Sequence, residues 1–402
     1  MNIAVIIDSK IQSGGGFQYA LSISLLLNKK RSEKYNFIFF TTAKENITIL
    51  EKNNIKAVYL NFSKFDLLLG YLRTNIIIYQ MLDTIKICRT AKIDRILKKY
   101  NIDLIYFISP SWLSQATENF NYIFTMWDLC HRDFVEFPEV YAHREFERRE
   151  NLYRKALPKA VKIIAESDLG RSNIITRYNI DEKRVLSLPM PPSNSVNISE
   201  EVYNSNHINI KKKYGIDGEY IFYPAQFWPH KNHLYVLEGL KILDEKYNIK
   251  LNAVFSGSDY GNLEFLFKKV KELELEGRIY FIGFVANEEI PYLYKQALAL
   301  VMPTYFGPTN IPPLEAFKLK CPVLYSDLPG LKEQVQDAAL LLDLKEPQSL
   351  AENLLKIMRN DPEVSKMVLN GANKVAEWDE DNFFLGLKEI FDDYAVKLKC
   401  WK

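Results

Sequence analysis

The sequence is poor in cysteine, lacks long apolar runs and carries almost no net charge. Its four cysteines are widely scattered among 402 residues, with no CxxC pair and no histidine at zinc-ligand spacing. This argues against a disulfide framework or a zinc module and predicts reduced thiols in a cytosolic protein. The formal net charge of +2 gives no general attraction to nucleic acid, so we expect no nucleic-acid partner.

No stretch of the chain reaches the roughly 20 apolar residues that a membrane-spanning helix needs. The amino terminus enters an apolar, strand-like run without the charged segment that opens a signal peptide. We therefore expect a cytoplasmic protein, and any membrane association would be peripheral, on the inner face of the plasma membrane.

Residues 65–100 are the candidate for such a membrane contact. Residues 65–72 are largely apolar, and residues 85–100 follow the pattern of a cationic amphipathic helix, which binds anionic membrane surfaces. The alternative is a solvated outer helix face, and we favour it because runs of charge usually serve that purpose. The basic residues of this stretch are Lys86, Arg89, Lys92, Arg95, Lys98 and Lys99.

The chain is too long for one hydrophobic core and predicts two domains. In both halves short apolar runs alternate with helical patterns, which predicts a parallel, doubly wound α/β sheet in each. Between the halves, the proline-rich stretch that begins at Pro189 marks the domain boundary. The predicted strands are residues 3–7, 36–40, 57–60, 104–108, 122–124, 161–165 and 185–188, then 220–223, 251–256, 279–282, 297–302 and 322–326.

The most informative stretch is residues 302–326, where a strand, a loop, a helix and a second strand follow one another. The loop ends in Thr309 and Asn310, both helix-capping residue types, and two prolines follow, which the first turn of a helix tolerates. Such a unit presents backbone N–H groups and a helix dipole at a sheet edge, and that suits a phosphate. Glu315, expected in the first helical turn, is suited to accept hydrogen bonds from ribose or hexose hydroxyls.

Other loops also follow predicted strands. Lys231, which stands between His230 and His233 in the chain, could neutralise a diphosphate, although a lone loop lysine is more often simply solvated. The glycine-rich residues 13–16 would let a ligand approach the backbone, but a tight strand–helix turn explains them equally well. Such loops gather at the carboxyl ends of parallel strands, where ligands bind. No Walker motif or acidic metal cage is visible, which predicts a metal-independent site.

These segments resemble the family 4 glycosyltransferases, retaining GT-B enzymes that use nucleotide sugars. The most specific match is Pro-Pro-Leu-Glu-Ala at 312–316 after a Phe-Gly loop, and the resemblance covers nearly the whole chain. The supporting segments are Ser-Gly-Gly-Gly at 13–16, Trp127-Asp128, Ser167, Lys231-Asn232 and Phe-Ile-Gly-Phe at 281–284.

The GT-B fold implies two Rossmann-like, doubly wound domains that face each other across a cleft. Residues 1–195 would form the acceptor domain and residues 214–379 the nucleotide-sugar donor domain. A C-terminal helix, 380–402, would cross back to the first domain.

The resemblance also implies roles for individual residues. Lys231 would bind the diphosphate, and Glu315, which matches the second glutamate of the E-x7-E motif of the family, would hold the ribose hydroxyls. Asp128 or His131 would orient the acceptor hydroxyl or shuttle its proton, so the implied catalytic residues are Asp128, His131 and Lys231. The other implied donor-binding residues are Gly14, Gly15, Gly16, Gln226, Phe284, Val285, Thr309, Asn310 and Ile311.

Three positions depart from the family pattern. Gly307 stands where the first glutamate of E-x7-E, the usual donor-sugar carboxylate, is expected. Gln226 replaces an arginine, and Trp127 replaces the histidine of a His-Asp pair, while His131 follows one helical turn later. We interpret these changes as a sub-branch of the family.

The resemblance implies transfer of a hexose or deoxyhexose from a nucleotide-diphosphate sugar, the co-substrate, with no cofactor. The acceptor would be an oligosaccharide or a polyprenyl-linked glycan of bacterial surface polysaccharide, O-antigen or capsule. Two alternatives share the fold: a nucleotide-sugar epimerase, and a non-catalytic glycan-binding relative that the changes at Gly307 and Gln226 would suit. The two phosphate-facing loops and Glu315 favour the transferase.

Overall fold

The computed structural model describes residues 1–8, 15–84, 91–205, 208–307 and 309–402. The chain forms two compact units. The first contains Met1–His131, His143–Pro189 and Glu380–Lys402, and the second contains Arg132–Ala142 and Met190–Asp379. The short segment Arg132–Ala142 therefore packs with the second unit although it lies inside the first half of the sequence, an arrangement that no sequence pattern indicated.

The described strands of the first unit pair in parallel and form one sheet. They are β1 (Asn2–Ile7), β2 (Asn36–Thr41), β3 (Ala57–Tyr59), β4 (Leu104–Phe107), β5 (Tyr122–Met126), β6 (Lys162–Ala165) and β7 (Val185–Ser187). Their order in the sheet is β3-β2-β1-β4-β5-β6-β7. Successive strands are added on one side of β1 up to β3 and on its other side from β4 onward, so the strand order reverses between β1 and β4. In an open α/β sheet such a reversal opens a crevice at the carboxyl ends of the strands, where ligands bind.

The described α-helices up to residue 178 alternate with these strands along the chain, and the helix Pro138–Tyr141 among them lies in the segment Arg132–Ala142 of the second unit. They are α1 (Gly15–Lys29), α2 (Lys44–Lys52), α3 (Lys64–Arg73), α4 (Ile76–Thr84), α5 (Lys92–Lys99), α6 (Leu113–Ala116), α7 (Cys130–Asp133), α8 (Pro138–Tyr141), α9 (Glu145–Ala156) and α10 (Asp168–Tyr178). Strands β4 and β5 are buried throughout, as expected for parallel strands that helices cover on both faces.

The second unit repeats this architecture. Its described strands are β8 (Tyr220–Pro224), β9 (Asn252–Ser256), β10 (Ile279–Gly283), β11 (Ala299–Met302), β12 (Val323–Ser326) and β13 (Leu340–Leu342). They too are parallel, and their order, β10-β9-β8-β11-β12-β13, reverses between β8 and β11. The predicted doubly wound sheets are thus confirmed in both halves, while β13, only three residues long, was not predicted.

The remaining described helices complete the two units. They are α11 (Glu200–Ser205), α12 (Ile210–Tyr214), α13 (His233–Tyr247), α14 (Leu263–Glu272), α15 (Ile290–Lys295), α16 (Ile311–Lys318), α17 (Leu331–Val335), α18 (Gln348–Met358), α19 (Pro362–Glu377) and α20 (Glu380–Leu398). Helix α20 belongs to the first unit. There the Phe391 ring packs against Tyr35 and Phe37, and the Tyr394 hydroxyl donates a hydrogen bond to the Asp103 carbonyl at 3.1 Å.

Candidate functional site

Lys231 lies where the sheet of the second unit reverses direction. It ends a 3-10 turn, Pro229–Lys231, that follows β8, and its Nζ donates a hydrogen bond to Oδ1 of Asn310 at 3.2 Å. Asn310 belongs to the loop after β11. Strands β8 and β11 are neighbours, and the chain continues from β8 to β9 on one side and from β11 to β12 on the other. The loops that follow β8 and β11 therefore meet at the crevice between these two strands. The structure therefore brings together the lysine and the loop that the sequence singled out.

Asn310 precedes helix α16 as its N-cap residue, but its side chain makes no capping hydrogen bond. Its Nδ2 donates instead to the Gly307 carbonyl at 2.7 Å and to the Tyr325 hydroxyl at 2.6 Å. The backbone N–H of Asn310 donates to Oε1 of Gln334 at 3.1 Å. This N–H thus has a hydrogen-bond partner within the protein, and the expected phosphate contacts of Thr309, Asn310 and Ile311 stay predictions.

Glu315 lies in the second turn of α16, because that helix begins at Ile311; the expected first-turn position is wrong. Its side chain is buried, and its two oxygens accept hydrogen bonds from Ser193 Oγ at 2.5 Å and the Tyr294 hydroxyl at 2.7 Å. Burial raises the pKa of Glu315, while these two hydrogen bonds oppose the rise. A carboxylate oxygen accepts more than one hydrogen bond, so Glu315 retains the capacity to hold a hydroxyl.

Gln226, which stands where the family has an arginine, ties two loops together. Its Oε1 accepts a hydrogen bond from the Ser258 N–H at 2.6 Å, which joins the loop after β8 to the loop after β9. Gly257 begins that second loop, and a Cβ there would lie 2.4 Å from the Ala225 carbonyl oxygen. Only glycine permits this close approach of the backbone, so the loop geometry beside the crevice depends on it.

The residues after β10 differ in exposure. The Phe284 side chain is 59% exposed, whereas Val285 is buried against the core of the second unit. An exposed aromatic ring at the carboxyl end of a strand is a suitable surface for a nucleotide base. The predicted donor contacts of Phe284 and Val285 stay predictions.

The two histidines beside Lys231 occupy different environments. His233 is buried between Tyr223 and Phe227, and burial, together with the charges of Lys231 and His230, lowers its pKa to about 3. His233 is therefore a neutral core histidine. The His230 ring stacks on Phe306, with ring centroids 3.8 Å apart.

Asp128, after β5 in the first unit, is held by its own neighbours. One carboxylate oxygen accepts hydrogen bonds from the Cys130 N–H at 3.0 Å and from Arg149 Nη1 at 2.8 Å. Burial disfavours the charged form, but the Arg149 charge and these hydrogen bonds outweigh it and lower the pKa of Asp128. A carboxylate with a lowered pKa is a weak base, which suits orienting a hydroxyl better than removing its proton.

His131 lies in the interior of the first unit. Its side chain has no exposed surface, and its Nε2 lies 2.8 Å from Oε1 of Glu150. The ring makes edge and tilted contacts with Phe146 and Tyr153, and burial lowers its pKa. The predicted proton transfer by His131 stays a prediction, and the burial of the ring argues against it.

The glycine-rich stretch of the first unit is described only in part. Gly14 lies outside the described residues, while Gly15 and Gly16 open helix α1. The neighbouring Asp8, which sequence reasoning did not select, accepts hydrogen bonds from Thr42 Oγ1 and Ser111 Oγ, both at 2.6 Å. Asp8 directly follows β1, where the strand order of the first sheet reverses. Its position directly after an apolar strand is the sequence signal that could have identified it.

Neither a metal cluster nor a membrane span emerges from the part of the chain that the structure describes. Within that part, no three His, Cys, Asp or Glu side chains are placed to hold a metal ion together. No described helix combines the length and apolar character needed to cross a bilayer. The expected metal independence stays a prediction.

Comparisons with known proteins agree on one class. Residues 206–374 match the family model described as "Glycosyl transferases group 1". The chain is 26% identical over 227 residues to the O-antigen chain mannosyltransferase B of Escherichia coli, covering 56% of this chain and 58% of that protein. It is also 26% identical over 248 residues to the O-antigen chain mannosyltransferase RfbU of Salmonella typhimurium, covering 62% and 63%. The chain thus spans about three fifths of the length of these curated relatives.

A solved structure shows the same fold along the whole chain. Anabaena Alr3699/HepE, solved in complex with UDP-glucose, superposes with a TM-score of 0.74 over 98% of this chain and 100% of that one, at 16% identity. The protein has the GT-B fold, and together with the match at 206–374 this supports a GT-B glycosyltransferase family.

Proposed function

We propose that the protein is a retaining glycosyltransferase that uses a nucleotide-diphosphate sugar and takes part in the synthesis of a bacterial surface polysaccharide. The observation that carries the proposal is the meeting of Lys231 with the loop before α16 at the reversal of the second sheet. A cation, a helix N-terminus and a buried carboxylate, Glu315, follow adjacent strands there. That combination suits a diphosphate joined to a ribose.

In the proposed reaction, Lys231 stabilises the leaving group. The bond between the anomeric carbon and the β-phosphate oxygen breaks, so negative charge grows on the nucleoside diphosphate. A cation placed beside this charge binds the transition state more tightly than the ground state, which is the condition for catalysis. The amide of Asn310 is a neutral partner that orients the ammonium group of Lys231 without cancelling its charge.

The acceptor oxygen forms its bond to the anomeric carbon on the face that the leaving group departs. Asp128 is a weak base because Arg149 lowers its pKa. We therefore assign the acceptor proton to the departing phosphate oxygen, and we assign Asp128 the role of orienting the acceptor hydroxyl. This division does not require the buried His131 to take the acceptor proton.

The names of two relatives support a choice of donor and acceptor to test. Two of them are O-antigen chain mannosyltransferases by name, so a nucleotide-diphosphate mannose is the first donor to test. A growing polysaccharide chain, free or linked to a polyprenyl lipid, is the matching acceptor.

The proposal is tested by a thermal-shift screen with UDP, GDP, ADP and their sugar conjugates. A ligand present at 100 times its dissociation constant stabilises the folded state by about 2.7 kcal/mol. We expect one nucleotide to raise the melting temperature, with or without EDTA, and Lys231→Ala to remove most of the rise. Lys271→Ala, which changes an exposed lysine of α14, is the matched control. No shift with any nucleotide would contradict the proposal and favour a glycan-binding relative.

We further propose that the first unit contacts a membrane surface through helices α3 and α4. Six large apolar side chains of these helices are each between 55% and 67% exposed. The opposite face of α3 is packed, since Gly70 lies against Trp112. A contiguous apolar surface on a folded protein usually marks an interaction site, and aromatic with aliphatic side chains suit the bilayer interface. The six residues are Phe65, Leu68, Tyr71, Ile76, Ile77 and Met81.

The cationic part of residues 65–100 contributes less to this proposal. Residues 85–90 lie outside the described part of the chain, and the helix described beyond them is only Lys92–Lys99. The Nζ of Lys92 forms an ion pair with Asp66 at 2.6 Å, which fixes α5 to α3. The apolar side chains, rather than the basic ones, therefore carry the proposed contact.

Flotation with lipid vesicles tests the membrane contact. We expect binding to vesicles of phosphatidylcholine mixed with phosphatidylglycerol, and loss of most of that binding when Phe65, Leu68 and Tyr71 are all changed to Ser. Val396→Ser, on the exposed face of α20, is the control. Equal binding by the triple variant, or self-association without vesicle binding, would contradict the proposal.

A further inference from the structure

The segment Arg132–Ala142 packs against the loop that follows β11 in the second unit. The Phe134 ring stacks on Phe306 with centroids 5.5 Å apart. The Phe137 ring contacts both Phe306 and Tyr305, at 5.6 Å and 5.3 Å. These aromatic contacts place the segment on the loop that leads to Asn310, within the unit that holds the proposed donor site.

Glu139 of this segment joins the turn that carries Lys231. Its Oε1 accepts a hydrogen bond from the His230 backbone N–H at 3.0 Å and lies 2.5 Å from the His230 ring Nδ1. Its Oε2 is buried and has no hydrogen-bond partner among the described residues. A buried carboxylate oxygen that lacks a partner is costly and is seldom kept without a role.

His230 links Glu139 to both loops of the proposed donor site. Its ring stacks on Phe306, its carbonyl accepts a hydrogen bond from the Tyr305 N–H at 2.9 Å, and the next residue in the chain is Lys231. A contact that holds His230 in place therefore also holds the backbone of Lys231, and with it the position from which the Lys231 side chain reaches Asn310.

Gly307 adjoins the contact between Asn310 and Lys231 and leaves no room for a side chain. Its backbone φ is +106°, a conformation that residues other than glycine rarely adopt. A Cβ there would lie 2.9 Å from Oδ1 of Asn310, the oxygen to which Lys231 donates. The glutamate that the family resemblance expects at this position would therefore displace the amide that orients the lysine.

We propose that Glu139 is a positioning residue of the donor site. It holds the His230–Lys231 turn against the loop of Tyr305 and Phe306, so nucleotide binding depends on the segment Arg132–Ala142. This inference rests on the proposed function, since it assigns Glu139 to the same nucleotide site. A side chain from the first half of the sequence thus serves the site of the second unit.

Glu139→Gln tests this role because it keeps the shape of the side chain and removes its charge. Hydrogen bonds to a charged acceptor are roughly twice as strong as neutral ones, so we expect the dissociation constant of UDP or GDP, measured by calorimetry, to rise about tenfold. Hydrogen exchange of the His230 N–H should also become faster without nucleotide. Glu136→Gln, an exposed carboxylate of the same segment, should change neither quantity.

The outcomes separate this inference from the proposed function. If Lys231→Ala weakens nucleotide binding while Glu139→Gln binds as tightly as Glu136→Gln, the positioning role is wrong. A lower melting temperature of Glu139→Gln at unchanged nucleotide affinity would show a purely structural role and also overturn it. If the wild type and Lys231→Ala bind UDP, GDP and ADP equally poorly, the proposed function fails, and the inference fails with it.

Discussion

The two units hold the carboxylates of their candidate site residues in opposite ways. Asp128 in the first unit is paired with Arg149, and its pKa is lowered. Glu315 in the second unit is buried with two hydroxyl donors, and its pKa is raised. The two side chains have the same chemistry, so the surrounding charges and the burial decide which one is readily ionised.

This difference extends to the residues around them. In the first unit the Glu150 carboxylate contacts both the His131 ring and the Arg154 guanidinium. In the second unit Lys231 Nζ donates a hydrogen bond to the neutral amide of Asn310. These surroundings are the basis for the proposed orienting role of Asp128 and the proposed leaving-group role of Lys231.

The largest expected effect separates Lys231 from Asp128. Lys231→Ala should lower the rate of sugar transfer about 10²–10³-fold, the usual effect of removing one stabilising group from a transition state. Asp128→Asn should lower it by about tenfold or less, because orientation survives in the amide. The rates would be measured with the donor that the nucleotide screen identifies.

Lys231→Arg is the control that keeps the positive charge of the side chain and changes its shape. Arginine keeps the charge but spreads it over a planar group, so it should restore part of the rate. A larger loss for Asp128→Asn than for Lys231→Ala would reverse the comparison between the two units and assign the main catalytic role to the first.

The next effect concerns the missing glutamate. Gly307→Glu restores the residue that the family resemblance expects, yet we expect nucleotide binding to weaken about tenfold or more, since backbone strain at such a position costs about 1–3 kcal/mol. The new side chain would also displace Asn310 from Lys231. Calorimetry with UDP and GDP measures the change.

Gly307→Ala is the matched variant for this prediction. It introduces the Cβ and the strain without the carboxylate, so it should show most of the same loss. Tighter binding by Gly307→Glu than by the wild type would show that the site accepts the carboxylate and that the Asn310–Lys231 contact is dispensable.

The sheets were predictable because apolar runs of the right length are a local signal. The strands β1, β4 and β5 follow directly from runs such as residues 3–7 and 104–108. The meeting of the loops after β8 and β11 was also predictable, because parallel topology gathers such loops. The alternation of apolar runs and helical patterns therefore predicts that Lys231 lies near residue 310.

The contacts inside the site were not predictable, because they depend on pairs far apart in the chain. Ser193 and Glu315 are separated by 122 positions, and Glu139 and His230 by 91. Neither Ser193 nor Glu139 carries a local pattern that marks it. The sequence left open whether His131 is a structural or a functional histidine, since nothing near it in the chain shows the rings that will cover it.

A smaller effect is expected for the buried histidine of the first unit. His131→Phe keeps an aromatic ring against Phe146 and Tyr153 but removes the contact with Glu150. We expect the free energy of unfolding to fall by about 1–3 kcal/mol, measured by denaturant titration, while the transfer rate per folded molecule stays near that of the wild type. A rate loss on the order of 100-fold at unchanged stability would instead establish the predicted proton transfer.

The smallest effect concerns Glu315 and depends on pH. Burial raises its folded-state pKa above the unfolded value, so between the two values the folded state binds more protons than the unfolded one. The stabilising contribution of the protonated form is therefore present at low pH and is lost as pH rises through the folded pKa.

Glu315→Gln removes this titration and can still bond to the hydroxyls of Ser193 and Tyr294 through its amide. Relative to the wild type, we expect it to gain about 1 kcal/mol of stability between acidic and mildly alkaline pH, as measured by melting temperatures across that range. Glu264→Gln, an exposed glutamate of α14, should show no such trend. If the gain appeared on acidification instead, Glu315 would be stabilised as a carboxylate, and the contrast with Asp128 would disappear.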